Sequence, residues 1–69
     1  MKFAAHTDLL VLGVGSTADE AYADAEKHHA DPDLLDIVRI EDDAAAYVER
    51  GGDCRGLTLG EDDILRLRA

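Results

Sequence analysis

Short apolar runs near the start of the chain predict a pair of strands. Phe3-Ala4-Ala5 and the run from Leu9 to Val14 indicate strands over residues 2–6 and 9–14, joined by a tight reversal at Thr7-Asp8. A single strand kinked at Asp8 is the alternative.

The segment that follows has the signals of a capped helix. Thr17 and Glu20 have the spacing of a capping box, in which the hydroxyl accepts an early helix N–H and the carboxylate reaches back. The helix is expected to end before Asp31-Pro32, since proline disfavours helical geometry at the residue before it. Its apolar positions form one narrow stripe: Ala18, Ala21, Tyr22, Ala25 and His29. The small side chains predict a close approach to a sheet.

The second half of the chain contains three more apolar runs. Residues 35–41 are rich in β-branched side chains and predict a strand, with a helix begun by Asp31-Pro32 as the alternative. Residues 57–59 and 64–68 flank a polar turn and predict a hairpin.

Between these strands a second, shorter helix is expected over residues 44–50. Asp42 or Asp43 is predicted to cap its start, because aspartate is a favoured N-cap residue. Gly51-Gly52 is expected to end it, since glycine adopts the left-handed conformation without steric cost.

These elements predict an α+β domain with the order ββαβαββ, formed by residues 1–69 as a single domain. The expected architecture is a small antiparallel sheet of about four or five strands with two helices packed on it. A chain of 69 residues has a marginal core. A homodimer that buries more apolar surface is therefore possible.

Net charge excludes several classes of partner. The chain has 16 Asp and Glu residues against 7 Lys and Arg, a formal charge of −9 at pH 7. Direct nucleic-acid binding is not expected, because phosphates are bound by neutralising them with cationic side chains. Anionic membrane surfaces are disfavoured for the same reason.

Cysteine content and hydropathy indicate a complete, soluble protein of the cytoplasm. Cys54 is the one cysteine, so no intrachain disulfide is expected. No apolar run approaches the roughly 20 residues of a membrane span. The first residues lack the apolar stretch of a secretory signal.

The glycine-containing turn before the first helix satisfies a dinucleotide-binding pattern. Residues 13–18 fit G-x-G-x-x-G/A, and Glu41 follows at a strand end, where such sites place a ribose-binding acid. A dinucleotide domain needs about twice this length of chain, and Asp19 and Glu20 would repel a pyrophosphate at the helix start. We therefore interpret the pattern as a strand-to-helix turn, and no cofactor is expected.

The same stretch also resembles a protein family. Gly13, Gly15, Thr17, Glu20-Ala21 and Asp24-Ala25 match the pattern G-x-G-x-T-x-x-E-A-x-x-[DN]-A of HicB-type antitoxins over about 13 residues. That resemblance implies a small α+β domain, related in fold to double-stranded-RNA-binding domains, that inhibits a partner ribonuclease. The chain lacks the family's glycine-cysteine segment and its C-terminal DNA-binding helices, so operator binding is not implied.

Other candidate chemistry is weakly supported by the sequence. His28 and His29 are adjacent, and neighbouring positions on a helix point about 100° apart, so a shared metal ion is not expected. Cys54 has Arg55 and Asp53 as neighbours, whose effects on a thiol oppose each other. The many carboxylates give no reason to choose a catalytic pair. We expect a protein that is not an enzyme and that holds no metal.

The distribution of acidic residues is the remaining signal. Residues 19–36 contain seven acids and one lysine, and two Glu-Asp-Asp triplets follow. The candidate partner-binding residues are Asp19, Glu20, Asp24, Glu41, Asp42, Asp43, Glu61, Asp62 and Asp63. A basic nucleic-acid groove would attract such a surface by long-range steering. Solvation of an ordinary acidic protein is the alternative interpretation.

In size, acidity and fold class the chain resembles phage-encoded anti-CRISPR proteins and other DNA-mimic inhibitors. The resemblance implies a protein partner with a basic nucleic-acid-binding surface, such as a Cas protein or a nuclease, in the cytoplasm of an infected cell. The leading hypothesis is an acidic inhibitor of this type. An antitoxin-like inhibitor of a ribonuclease is second, and a small structural dimer is third.

Overall fold

The computed structural model describes residues 1–7, 10–28 and 31–68. The predicted order ββαβαββ is confirmed, with a single 3-10 turn before the third strand and another before the fourth. The elements are β1 (Lys2–Thr7), β2 (Leu10–Gly15), α1 (Ala18–Lys27), β3 (Asp36–Ile40), α2 (Asp42–Glu49), β4 (Leu57–Leu59) and β5 (Ile64–Leu67).

Two alternatives left open by the sequence are decided by these elements. β1 and β2 pair antiparallel, so they are separate strands and not one kinked strand. The reversal predicted at Thr7-Asp8 involves Asp8, which lies outside the described residues. The segment after Asp31 makes one 3-10 turn, Pro32–Leu34, before β3 begins. The strand prediction for this segment is therefore confirmed.

The five strands form one sheet in the order β2-β1-β3-β5-β4. The expectation of a wholly antiparallel sheet is wrong, because β3 and β5 run parallel while the other three pairings are antiparallel. The reason is topological. The chain leaves β3, forms α2, and returns as a hairpin whose second strand lies beside β3 and whose first strand forms the edge.

The two helices pack on opposite faces of this sheet. Ala5 belongs to the apolar cluster that contains Ala21 and Ala25 of α1, whereas its neighbour Ala4 belongs to the cluster that contains Ala44 and Ala45 of α2. Successive side chains of a strand point to opposite faces, so β1 supplies both layers. The result is a three-layer arrangement in which the sheet is covered by α1 on one side and α2 on the other.

Helix α1 sits unusually close to β2 because the strand has no side chain at the contact. A Cβ atom at Gly13 would collide with the carbonyl oxygen of Ala21 and the backbone nitrogen of Ala25. Ala21 and Ala25 are fully buried, which confirms the predicted apolar stripe at these positions. Its last member, His29, lies outside the described residues.

Helix α2 begins earlier than predicted. It spans Asp42–Glu49, and its N-cap is Glu41, not Asp42 or Asp43. Glu41 is still bonded to the sheet, since its N–H donates to the carbonyl of Leu65 at 3.0 Å. The strand pairing keeps Glu41 extended, and the helix starts at the next residue.

The end of α2 follows the prediction. Gly51 has φ +91°, the left-handed conformation that glycine adopts without strain, and Gly52 N–H donates to the carbonyl of Tyr47 at 2.9 Å. The chain then wraps the Tyr47 ring, whose hydroxyl donates to the carbonyl of Asp53 at 2.9 Å. This wrap brings the chain to the start of β4.

Candidate acidic binding surface

The two Glu-Asp-Asp triplets meet at one arginine. Arg66 Nε donates to Glu41 Oε2 at 3.2 Å, and Arg66 Nη1 and Nη2 donate to the two carboxylate oxygens of Asp62 at 3.0 and 2.6 Å. One guanidinium therefore joins the triplet that begins α2 to the triplet in the β4–β5 turn. We call residues 41–43 and 61–63 the triplet surface.

The alternation of side chains along β5 explains where Arg66 lies. Leu65 is fully buried in the cluster beneath α2, so the next residue, Arg66, points to the opposite face of the sheet. Glu41 follows the buried Ile40 in the same way. Because Ile40 and Leu65 are partners in the parallel β3–β5 pair, Glu41 and Arg66 emerge side by side.

The contact with Arg66 changes the acidity of Asp62. Hydrogen bonds from the Arg66 guanidinium lower the pKa of the Asp62 carboxyl below its usual value, and the backbone N–H of Ile64 adds to the effect. The same pair raises the pKa of Arg66. Both groups are therefore charged throughout the neutral range, and two hydrogen bonds from Arg66 orient the Asp62 carboxylate.

The charge of the triplet surface is far from balanced. The triplet surface has six carboxylates, two of which contact the Arg66 guanidinium, and these seven side chains together carry a formal charge of −5. The side chain of Asp42 is 73% exposed, and its nearest cation is the amino group of Met1 at 3.4 Å. Asp43, Glu61 and Asp63 are also exposed. Most of this negative charge faces solvent.

Both helices start at the same end of the sheet. Gly15 at the end of β2 pairs with Phe3, and Ile40 at the end of β3 pairs with Lys2, so α1 and α2 begin two strands apart. Each first turn carries two acids, Asp19-Glu20 in α1 and Asp42-Asp43 in α2, where negative charge stabilises the helix dipole. This structural role accounts for part of the acidity at this end.

Two of the predicted site residues in α1 accept hydrogen bonds from the protein backbone. Glu20 Oε2 accepts the N–H of Ser16 at 2.9 Å, and Asp24 Oδ2 accepts the N–H of Val14 at 3.1 Å. Asp24 is half-buried beside β2, at the opposite edge of the sheet from the β4–β5 turn. The triplets are thus brought together, whereas Asp24 lies apart from them.

The dinucleotide-like glycine pattern before α1 has a structural explanation. Thr17 Oγ1 accepts the N–H of Glu20 at 3.1 Å, which confirms the predicted cap, and Glu20 reaches back to Ser16. The N–H groups of Ser16 and Glu20, which a dinucleotide phosphate would use, are therefore already bonded to side chains of the protein. A Cβ at Gly15 would collide with Glu20, just as one at Gly13 would collide with α1. The glycines serve close packing.

Other candidate chemistry gains no geometric support. Among residues 1–7, 10–28 and 31–68, no group of three or more His, Cys, Asp or Glu side chains could hold a metal ion. His28 is the exposed C-cap of α1, and its neighbour His29 lies outside that range. Cys54 is exposed in a 3-10 turn. None of the helices described is long and apolar enough to cross a membrane.

Arg66 is the residue that sequence reasoning missed. Its contact with Asp62, four residues earlier, could have been suggested by opposite charges on neighbouring hairpin positions. Its contact with Glu41 could not, because that contact depends on the parallel pairing of β3 with β5.

Comparisons with known proteins give no independent assignment: no protein-family model, curated protein or solved structure matches this chain.

Proposed function

We propose that this protein is a non-enzymatic inhibitor that occupies the basic nucleic-acid-binding surface of a partner protein. The observation that carries the proposal is the convergence of two acidic triplets, far apart in sequence, on Arg66. The contact surface is the triplet surface, flanked by Asp19 and Glu20 at the start of α1. The partner is a Cas protein or a nuclease, and the inhibitor acts in the cytoplasm as anti-CRISPR and DNA-mimic proteins do.

The chemistry of such an inhibitor matches the charge of the triplet surface. A nucleic-acid groove is lined with Lys and Arg, which attract an anionic surface over several ångströms and accelerate its association. The Arg66 pair holds Glu41 and Asp62 in place, so less side-chain entropy is lost when a partner binds. The protein carries −9 overall, which favours the same encounter.

The test begins with capture of the partner by the immobilised protein from its native host. The partner's affinity for labelled nucleic acid is then measured with increasing amounts of the protein. Wild type is expected to compete with the nucleic acid. Asp42→Lys/Asp43→Lys is expected to inhibit at least about tenfold less well, because like charges then face each other. Glu61→Lys should weaken inhibition in the same direction from the other triplet.

A matched control separates the triplet surface from net charge. Glu26→Lys/Asp33→Lys makes the same change in total charge at exposed residues of the α1 C-terminal half and of the turn before β3. This variant should inhibit nearly as well as wild type. Equal loss in both double variants would refute a role for the triplet surface. Capture of a ribonuclease whose binding survives Asp42→Lys/Asp43→Lys would favour the antitoxin-like inhibitor instead.

A further inference from the structure

A second surface lies at the other edge of the sheet, where β2 forms the floor of a groove and the two helices form its walls. The groove encloses about 530 Å³ between the C-terminal half of α1 and the C-terminal end of α2. Its apolar lining includes Val11, Val14 and Val48, and its polar rim includes Asp24, His28 and Glu49. Leu10, at the start of the same strand, is 53% exposed.

The two edges of the sheet differ in how they are protected. β4 has three residues, and around Leu57 its outer edge is covered, because the N–H donates to the carbonyl of Cys54 and the carbonyl accepts from Arg68 Nη2. β2 has six residues, and in the described part of the chain one side-chain bond covers it, from Val14 N–H to Asp24. An uncovered edge is a template for another strand.

We propose that this groove binds an extended, basic segment of a partner protein, which adds to the sheet as a strand beside β2. Main-chain hydrogen bonds to the edge would supply affinity, and side-chain pockets would supply selectivity. Val11 and Val14 offer apolar contacts to one set of side chains. Asp24 on one wall and Glu49 on the other offer anionic partners to Lys or Arg.

The charge of the walls also argues against a second copy of this chain. Pairing two β2 strands about a two-fold axis would bring the acidic walls, Asp24 and Glu49, of one copy towards those of the other. Glu49 has Lys2 as a neighbour, with Nζ 3.6 Å from Oε1, and Asp24 has no cation within 4.0 Å in the described structure. A segment that brings its own cationic side chains meets no such repulsion.

This proposal does not depend on the triplet surface, because β2 and the β4–β5 hairpin lie at opposite edges of the sheet. The probe is a blocked hexapeptide, Arg-Arg-Val-Val-Arg-Arg, titrated into ¹⁵N-labelled protein in physiological salt. As a strand it presents both arginine and valine to each wall of the groove. Backbone resonances of residues 10–15 and 48–51 should shift on binding. A peptide with glutamate in place of arginine should not bind. A peptide N-methylated at alternate residues should lose most of its affinity, because it cannot pair with the edge.

Two variants test the groove while keeping its fold. Asp24→Asn retains an oxygen that accepts the Val14 N–H, and Glu49→Gln keeps the side-chain length. Together they should weaken binding of the arginine peptide about tenfold, the effect of losing roughly one charge contact on each wall. Asp42→Lys/Asp43→Lys should leave peptide binding unchanged.

Three results would overturn the proposal. The N-methylated peptide could bind as well as the parent, which would exclude strand addition. The largest shifts could fall on residues 41–43 and 61–63, which would assign the peptide to the triplet surface. Sedimentation could show a dimer that the Asp24→Asn/Glu49→Gln variant strengthens, which would make a second copy the occupant.

Discussion

The acidic side chains of α1 and those of the triplets have the same chemistry but different structural roles. In α1, Glu20 and Asp24 accept backbone N–H groups of the chain that precedes the helix: Glu20 bonds to the turn at Ser16, and Asp24 ties the helix to Val14 of β2. In the triplets, Glu41 and Asp62 are held by a charged side chain, Arg66, on an exposed surface, and the backbone N–H groups that Asp43 and Asp62 accept come from residues at most two positions away. A high density of acidic residues in the sequence therefore does not by itself define a binding surface.

The largest effect is expected where α1 contacts β2. Gly13→Ala places a Cβ against backbone atoms of Ala21 and Ala25, which cannot move without moving the helix. We expect a loss of about 3 kcal/mol of unfolding free energy, or failure to fold. Urea denaturation followed by circular dichroism measures it.

The control for that substitution is Gly51→Ala. A Cβ at Gly51 meets no atom within 4 Å, so this change adds only the strain of a positive φ. It should cost about 1 kcal/mol. Equal losses for the two alanine variants would show that close packing at Gly13 is unimportant.

Removing the carboxylate that ties α1 to the sheet edge should have the next largest effect. Asp24→Ala leaves the half-buried Val14 N–H without its acceptor, which costs about 1–3 kcal/mol. Asp24→Asn keeps an acceptor and should cost much less. In the triplets, Glu61→Ala should change stability by less than about 0.5 kcal/mol, since its side chain is exposed.

These three variants are compared by the same urea denaturation. A loss for Glu61→Ala as large as that for Asp24→Ala would contradict the division between a structural acid and a surface acid.

The cap of α1 gives a smaller expected effect. Thr17→Ala removes the oxygen that accepts the Glu20 N–H and should cost about 1 kcal/mol. Ser16→Ala is the neighbouring control and should cost less than about 0.5 kcal/mol, because the Ser16 contact uses its backbone N–H. Thermal unfolding of the two variants checks the difference, and equal melting temperatures would refute the cap.

The smallest effect concerns the exposed Asp62–Arg66 pair, and its size depends on pH. The lowered pKa of Asp62 means that the folded state prefers the carboxylate. The pair's contribution to the free energy of unfolding is therefore fully present above the pKa of Asp62 in the unfolded chain, near 3.8. It is lost as pH falls through the lower pKa of the folded state. Wild type should exceed Asp62→Asn in stability slightly at pH 7.

That difference should vanish in strong acid and shrink at high salt, since exposed charges are screened. Unfolding curves of both proteins between neutral and strongly acidic pH measure the gap. A gap that stays constant through the acid range would contradict the assigned role of Arg66.

Local signals were sufficient to predict most elements of the fold. The Thr17–Glu20 cap, the left-handed Gly51 and the hairpin around residues 60–63 each depend on residues within a few positions of one another. Such short-range interactions can be predicted from the sequence because residues close along the chain meet whatever the tertiary fold is.

Long-range pairing could not be predicted in the same way. The insertion of β5 between β3 and β4 makes one pairing parallel, and nothing in the apolar pattern of residues 64–67 distinguishes this from an antiparallel neighbour. The wrong expectation of a wholly antiparallel sheet also left the geometry of the candidate site unpredicted. The Glu41–Arg66 contact, the extended Glu41 cap and the separation of Asp24 from the triplets all follow from the strand order.

The central claim is that the triplet surface binds a basic nucleic-acid-binding surface. Its most direct test is the affinity of the protein for its captured partner, measured between about 50 and 500 mM salt. We predict a steep, linear fall of log affinity with log salt for wild type, and a much weaker dependence for Asp42→Lys/Asp43→Lys. An affinity that does not change with salt over this range would contradict the claim.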